Sequence, residues 1–162
     1  MLENIVEPLI EWYEENHRIL PWRASKNPYY IWISEIMLQQ TRVEAVRPFF
    51  ERFIKALPQV EDVAVCPEEQ LLKLWEGLGY YNRVRNIQKA AIRIVEEYGG
   101  RLPAGYEKLK DLPGIGNYTA GAVASIAYDL PVPAVDGNVL RVYARIMEDD
   151  SDILKQSVKT KV

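Results

Sequence analysis

Glu35 sits in "SEIMLQQT", where its neighbours three and four positions away on a helix are Ile31, Trp32, Leu38 and Gln39, so its carboxyl faces a largely apolar surface. Burial disfavours the charged carboxylate, and a carboxyl with a raised pKa can act as a general acid near neutral pH. A plainer arrangement is also open, in which the side chain reaches solvent or pairs with an arginine such as Arg42. A hundred residues on, "VPAVDGNVLRVYAR" brings Asp136 and Asn138 around a glycine at the mouth of a helix. Either can serve as a simple N-cap, and an aspartate held by helix-start amides also stays ionised. One protonated acid and one anionic carboxylate are the division of labour for breaking a bond at the anomeric carbon of a sugar, and a glycosidic bond to a nucleobase meets the same description.

Between these carboxylates lies "LPGIGNYTAG" (112–121), a proline and two close glycines directly ahead of a helix. Gly114 and Gly116 are free to take positive φ, which places the amides around Ile115, Gly116 and Asn117 at a helix start, where N–H groups and the dipole favour an anion such as a DNA phosphate. A cation shared among the loop carbonyls fits the same turn. So does an αα corner that touches nothing, and the turn alone does not decide. Arg85, Lys89 and Arg93 form an i, i+4, i+8 basic line. Gln39 and Gln40 end the Glu35 helix, and Tyr80 and Tyr81 follow "EGLG"; amide and aromatic tips on tight turns can wedge into a base stack. The alternative is a solvated charged face with the tyrosines in the core.

The elements that must position these residues are helical. Leu2, Ile5, Val6, Leu9, Ile10 and Tyr13 make a first amphipathic helix, and a mostly buried one starts after Pro28. A third runs from Val43 to Leu57 with Pro48 kinking it, a short one is stopped by Gly77, and another ends at Gly99-Gly100. "GYEKLKDL" and "YTAGAVASIAYDL" flank the glycine turn, and "NVLRVYARIM" and "DILKQSVKTKV" supply two more. No segment alternates with period two, so the expected class is all-α. Leu154, Val158 and Val162 are still in helical register at the end, which suggests a piece of something longer.

The bulk composition narrows the classes. The 162 residues are 48% hydrophobic and 27% charged, the mix of a soluble globular chain of one domain, or one and part of a second. No apolar run is long enough to span a membrane, and the acidic start lacks the basic region of a signal peptide, so the expected place is the cytoplasm. One cysteine, Cys66, and one histidine cannot assemble a Cys/His metal site. A net charge of −3 does not advertise a nucleic-acid binder, although phosphate binding depends on where cations sit rather than on their sum.

Five blocks occur in one order: "LPWR" (20–23), "SEIMLQQTRV" (34–43), "LWEGLGYYNRVRN" (74–86), "LPGIGNYTAGAV" (112–123) and "VDGNVLRV" (135–142). In these the sequence resembles the helix-hairpin-helix DNA glycosylase superfamily, and within it adenine DNA glycosylases of the MutY type. The resemblance implies an all-α fold: a six-helix, barrel-like domain with a helix-hairpin-helix motif over 23–130. It implies that 1–22 and 131–162 belong to a second, incomplete helical module. It further implies removal of adenine mispaired with 8-oxoguanine or guanine from double-stranded DNA by a nucleoid-associated, monomeric enzyme.

By position, Glu35 matches the acid that protonates the adenine ring and Asp136 the carboxylate that stabilises the sugar cation, with Tyr118 and Asn138 in support. Arg18, Trp22, Arg23 and Leu38 match the pocket of the flipped base, Gln40 and Tyr80 the residues inserted into DNA, and Gly114 and Gly116 the hairpin glycines. Bifunctional relatives carry a lysine where this chain has Tyr118; a phenol cannot form an imine, so a monofunctional glycosylase is expected. The family's 4Fe–4S cluster needs four cysteines that this chain does not contain, so it is implied only for a longer protein. Two rivals stay open at this point, a DNA-binding module without catalysis and a glycosylase that excises mispaired thymine.

Overall fold

A computed structural model describes residues 3–152. Among these residues the chain forms nine α-helices and one 3-10 turn, with no strand. The order is α1 (Glu3–Asn16), the turn Pro21–Arg23, α2 (Pro28–Leu38), α3 (Val43–Ala56), α4 (Val60–Val65), α5 (Glu68–Trp75), α6 (Asn82–Tyr98), α7 (Tyr106–Lys110), α8 (Asn117–Tyr128) and α9 (Gly137–Ile146). The expected helix in "DILKQSVKTKV" falls almost wholly outside the described residues. α4 has no counterpart in the periodicity reading, because six residues are too few to display a 3.6-residue period.

α2 is the centre of the molecule, and its composition explains why. Asn27 Oδ1 caps it by accepting from the Tyr29 N–H at 2.9 Å, and Pro28 occupies the first turn. Every residue from Ile31 to Met37 is buried, so α2 is apolar all round and has neighbours on several sides. It packs on α3, α6, α8 and the Pro21–Arg23 turn. Trp22, Trp32, Phe53 and Trp75 fill the core around it, with Trp75 edge-on to Phe53 at 6.0 Å.

The remaining boundaries follow local chemistry. α3 runs through Pro48 without ending there. Gln59 and Asp62 form a capping box at α4, with the Gln59 N–H donating to Asp62 Oδ2 at 2.9 Å. α6 stops where Gly99 takes a left-handed φ of 59°. α7 and α8 pack together across the 111–116 turn, which is the hairpin read from the glycines. No helix among the described residues is long and apolar enough to cross a membrane.

Candidate active site

Glu35 is 2% exposed, and it is buried because α2 is buried. Three elements reach it. Arg23, from the Pro21–Arg23 turn, donates from Nη2 to Oε1 at 2.7 Å. Tyr118, in the first turn of α8, brings its hydroxyl close enough to act on the same carboxyl. Asp136, at the mouth of α9, is close enough for its charge to be felt. The partner is therefore Arg23 and not Arg42, which is exposed at the start of α3. Burial pushes the Glu35 carboxyl above its ordinary pKa. Arg23 and the Tyr118 hydroxyl pull it down, and the Asp136 charge pushes it further up. Burial wins because Arg23 is 30% exposed and its charge is partly screened by water. Burial raises the Tyr118 hydroxyl as well, with Glu35 adding to it, so the phenol stays a neutral donor.

Asp136 is the N-cap of α9, and its charge reaches Glu35. Its Oδ1 accepts from the backbone N–H groups of Asn138 at 2.9 Å and Val139 at 2.8 Å. Its Oδ2 accepts from Asn138 Nδ2 at 2.8 Å, and Asn138 Oδ1 in turn accepts from Arg141. These bonds fix the carboxylate's orientation. Its location comes from Gly121, one turn along α8 from Tyr118. A Cβ on Gly121 would lie 2.1 Å from the Pro133 carbonyl oxygen. Only a glycine lets the 131–135 segment lie this close to α8 and deliver Asp136 beside Glu35.

A cleft of about 550 Å³, lined among others by Tyr13, His17, Arg18, Leu20 and Lys26, meets this group at Arg23. Arg18 and Arg23 both line this cleft. Trp22 does not: it is 0% exposed, its ring edge-on to Phe50 at 5.2 Å. Leu38 is half-buried and packs on the core rather than lining the cleft. Trp22 is part of the core and Leu38 packs against it.

The hairpin differs from the reading in two respects. Gly114 takes a left-handed φ of 77°, and a Cβ there would meet Asn86 Cβ at 2.7 Å. Gly116 does not use its freedom: at φ −90° it is the extended N-cap of α8, with open space where a Cβ would be. Ile115 is buried, and its N–H is already spent on the Leu112 carbonyl at 3.1 Å. The anion-binding potential therefore moves to the start of α8, at Gly116 and Asn117, which are exposed and where no side chain caps the helix.

The tyrosines after "EGLG" face solvent, with Tyr80 66% and Tyr81 40% exposed. Gln40 is exposed and Gln39 half-buried. Gln40 and Tyr80 both hold left-handed backbones, at φ 59° and 48°. The basic line is not a free cationic stripe: Arg85 pairs with Glu68 at 2.8 Å, and Arg93 with Glu97 and Asp111 at 2.7 Å each. Arg85 finds its acidic partner on α5, and Arg93 finds one on α6 itself and one at the end of α7.

Residues 33–162 match the family model described as "HhH-GPD superfamily base excision DNA repair protein". The chain belongs to that superfamily. It is 44% identical over 153 residues to the adenine DNA glycosylase of Mus musculus and 42% identical over the same length to that of Homo sapiens. These alignments cover 89% of the chain but only 30% and 28% of the relatives, so the chain spans about a third of their length. A thermostable thymine-DNA glycosylase superposes with a TM-score of 0.84 at 27% identity, covering 98% of this chain and 76% of that one. An endonuclease III–DNA complex gives 0.79 at 27%, covering 100% and 78%. The all-α class and DNA-repair membership are thus established for this HhH-GPD chain. The residues present do not fit a four-thiolate iron–sulfur cluster: the single thiol, Cys66, is buried at the end of α4 and lies 3.6 Å from the Pro67 carbonyl. Among the described residues no group of three or more His, Cys, Asp or Glu could hold a metal.

Three positions that shape the candidate site and its surroundings escaped the sequence reading. Gly121 looks like any small helix residue until the Pro133 carbonyl is placed against it. Asn86 supports Gly114 from another helix. Arg83 stands two positions before Arg85 and differs from the basic line in that its side chain turns inward.

Proposed function

We propose that this HhH-GPD chain removes adenine mispaired with 8-oxoguanine or guanine from double-stranded DNA, acting as a monofunctional glycosylase and as a monomer. The observation that supports this most is Glu35, a buried carboxyl held above its ordinary pKa within reach of a second, capped carboxylate at Asp136. A flipped adenine entering beside Arg23 takes a proton from Glu35 onto a ring nitrogen. The C1′–N glycosidic bond then breaks, and its electron pair leaves with the neutral base. The sugar cation that forms is stabilised by the Asp136 carboxylate and captured by water, whose proton restores Glu35. Tyr118 orients Glu35 and supplies no amine, so no imine forms and the strand is left intact. The start of α8, at Gly116 and Asn117, takes a DNA phosphate, and Gln40 and Tyr80 fill the space the base leaves.

The test is single-turnover incubation of the chain with duplexes carrying adenine opposite 8-oxoguanine or guanine. Free adenine is assayed by chromatography, and abasic sites by alkaline cleavage. Adenine release with strand breaks only after alkali supports the reading; no adenine from either duplex overturns it. Likeness to a thymine-DNA glycosylase structure favours one alternative, so a G·T duplex belongs in the same panel. Release of thymine in place of adenine would decide for it.

A further inference from the structure

Arg83, the second residue of α6, makes more hydrogen bonds than its place on a helix requires. Its Nη1 donates to the carbonyls of Ile36 at 3.0 Å, Met37 at 3.1 Å and Gln39 at 2.7 Å. Its Nη2 donates to those of Leu78 at 3.0 Å and Gly79 at 3.3 Å. The guanidinium lies 5.5 Å from the Trp75 ring centre and 5.4 Å from that of Tyr80. No carboxylate among the described residues forms an ion pair with it, its Nε is buried without a partner, and burial lowers its pKa. A cation held only by carbonyls and ring faces is costly to bury, and ordinary helix capping would need one or two of these bonds rather than five.

The two segments it joins are the notable part. One is the last turn of α2 and the Gln39–Gln40 turn; the other is the Leu78–Tyr80 loop. Of four non-glycine residues with left-handed backbones among those described, one lies in each: Gln40 at φ 59° and Tyr80 at φ 48°. Backbone in this region persists only where its surroundings over-determine it. The Arg83 bonds end at Gln39 and at Gly79, each one residue before a strained position. Both strained residues carry exposed side chains.

We propose that Arg83 is a positioning residue that locks these two segments into one rigid wedge, so that Gln40 and Tyr80 enter the base stack together. This rests on the glycosylase reading above. Two loops that moved independently would each lose freedom on insertion, whereas loops fixed to one planar guanidinium have lost it on folding. Arg83 touches neither Glu35 nor Asp136, so its effect falls on base extrusion and leaves the proton transfer alone.

The test uses 2-aminopurine in place of adenine opposite guanine, whose fluorescence rises when the base leaves the stack and needs no chemistry. With the protein saturating the duplex, Gln40→Ala and Tyr80→Ala each reduce the rise by about fivefold, and the double variant is no worse than the weaker single one, the signature of coupled residues. Arg83→Lys keeps the charge but cannot reach both segments; it also reduces the rise by about fivefold, with duplex affinity and melting temperature near those of the parent. Independent, multiplicative effects at Gln40 and Tyr80 overturn the proposal without any Arg83 variant having to fold. An unchanged rise in a folded Arg83→Lys protein overturns it too. No rise with the unsubstituted chain removes the glycosylase reading together with the wedge, so the two failures are distinct.

Discussion

The Arg23 guanidinium lies 2.7 Å from the Glu35 carboxylate, and the carboxyl is nevertheless held above its ordinary pKa. The pair is asymmetric: Glu35 is 2% exposed while Arg23 keeps 30% of its side chain in water. The acid loses nearly all its hydration, and the cation that should compensate is partly screened. Asp136, arriving from the other side, adds a like charge. The arrangement keeps a proton on Glu35 over a wider pH range than an exposed carboxylate would, while Arg23 fixes the direction in which the carboxyl points.

Glu35→Gln keeps the size and the hydrogen-bonding reach of the side chain but has no proton to give. Adenine release is expected to fall by about 10²–10⁴, the usual worth of a general acid, while duplex affinity stays within about twofold because phosphate contacts dominate it. Single-turnover release and fluorescence anisotropy on the same duplex check both. Release within threefold of the parent would sink the acid role.

Arg23→Met tests the balance of forces on that acid. Glu35 is active when protonated, so the rate declines as pH rises through its raised pKa. Removing Arg23, the larger of the influences that lower it, carries that decline to higher pH. The rate at the plateau also falls, since Arg23 lines the cleft and orients the carboxyl. A pH–rate profile that keeps its alkaline limb, or moves it down, contradicts the assignment.

Much of this was legible in the sequence, and the division follows physical lines. Helix existence, the Asn27-Pro28 start of α2 and the Gly99 stop of α6 depend on residues within a turn of one another, and these the sequence states. Glu35 and Asp136 stood out as candidates because each has an unusual local setting, an acid among apolar residues and an Asp-Gly-Asn at a helix mouth. What was not legible depends on approach between distant segments. Arg23 rather than Arg42 pairs with Glu35 because the Pro21–Arg23 turn packs on α2. Trp22 is core rather than pocket because Phe50 comes up against it. Two charges of the basic line of α6, Arg85 and Arg93, are paired with Glu68 and Asp111, which lie 17 and 18 residues away.

Gly121→Ala probes the approach that delivers Asp136. The new methyl would stand 2.1 Å from the Pro133 carbonyl, a backbone atom that cannot rotate aside, so the 131–135 segment must shift. The expected cost is about 1–3 kcal/mol of stability, as for overpacking a close-packed site. A comparable effect falls on catalysis, because even a 1 Å misplacement of Asp136 costs roughly 10²-fold. Urea unfolding and single-turnover release together test this. Full activity in a folded Gly121→Ala protein would show that the close approach does not place the carboxylate.

At Asp136 the cap and the charge can be separated. Asparagine is as good an N-cap as aspartate, so Asp136→Asn is expected to leave stability within about 0.5 kcal/mol, whereas Asp136→Ala costs about 1 kcal/mol through loss of the acceptor for the Asn138 and Val139 amides. Both variants lose the negative charge that supports the sugar cation, and both fall by at least about 10²-fold in adenine release. Activity that tracks stability, high in the asparagine variant and low in the alanine one, would reduce Asp136 to a cap.

The raised pKa of Glu35 also has a signature in stability that requires no substrate. A carboxyl whose pKa is higher folded than unfolded binds its proton more tightly in the native state. Its stabilising contribution is complete below the unfolded value, near 4.5, and is lost as pH rises through the folded one. Glu35→Gln, which cannot ionise, has no such dependence at this position. The difference in urea midpoint between parent and variant is therefore expected to move in the variant's favour between pH 4 and pH 7, with the other carboxylates cancelling in the comparison. A difference that does not change with pH, or that moves in favour of the parent, would mean that Arg23 and Tyr118 outweigh burial and that Glu35 titrates as an ordinary or stabilised carboxylate. Because this measurement reads the free protein, it separates the electrostatics of the site from every question of what the site acts upon.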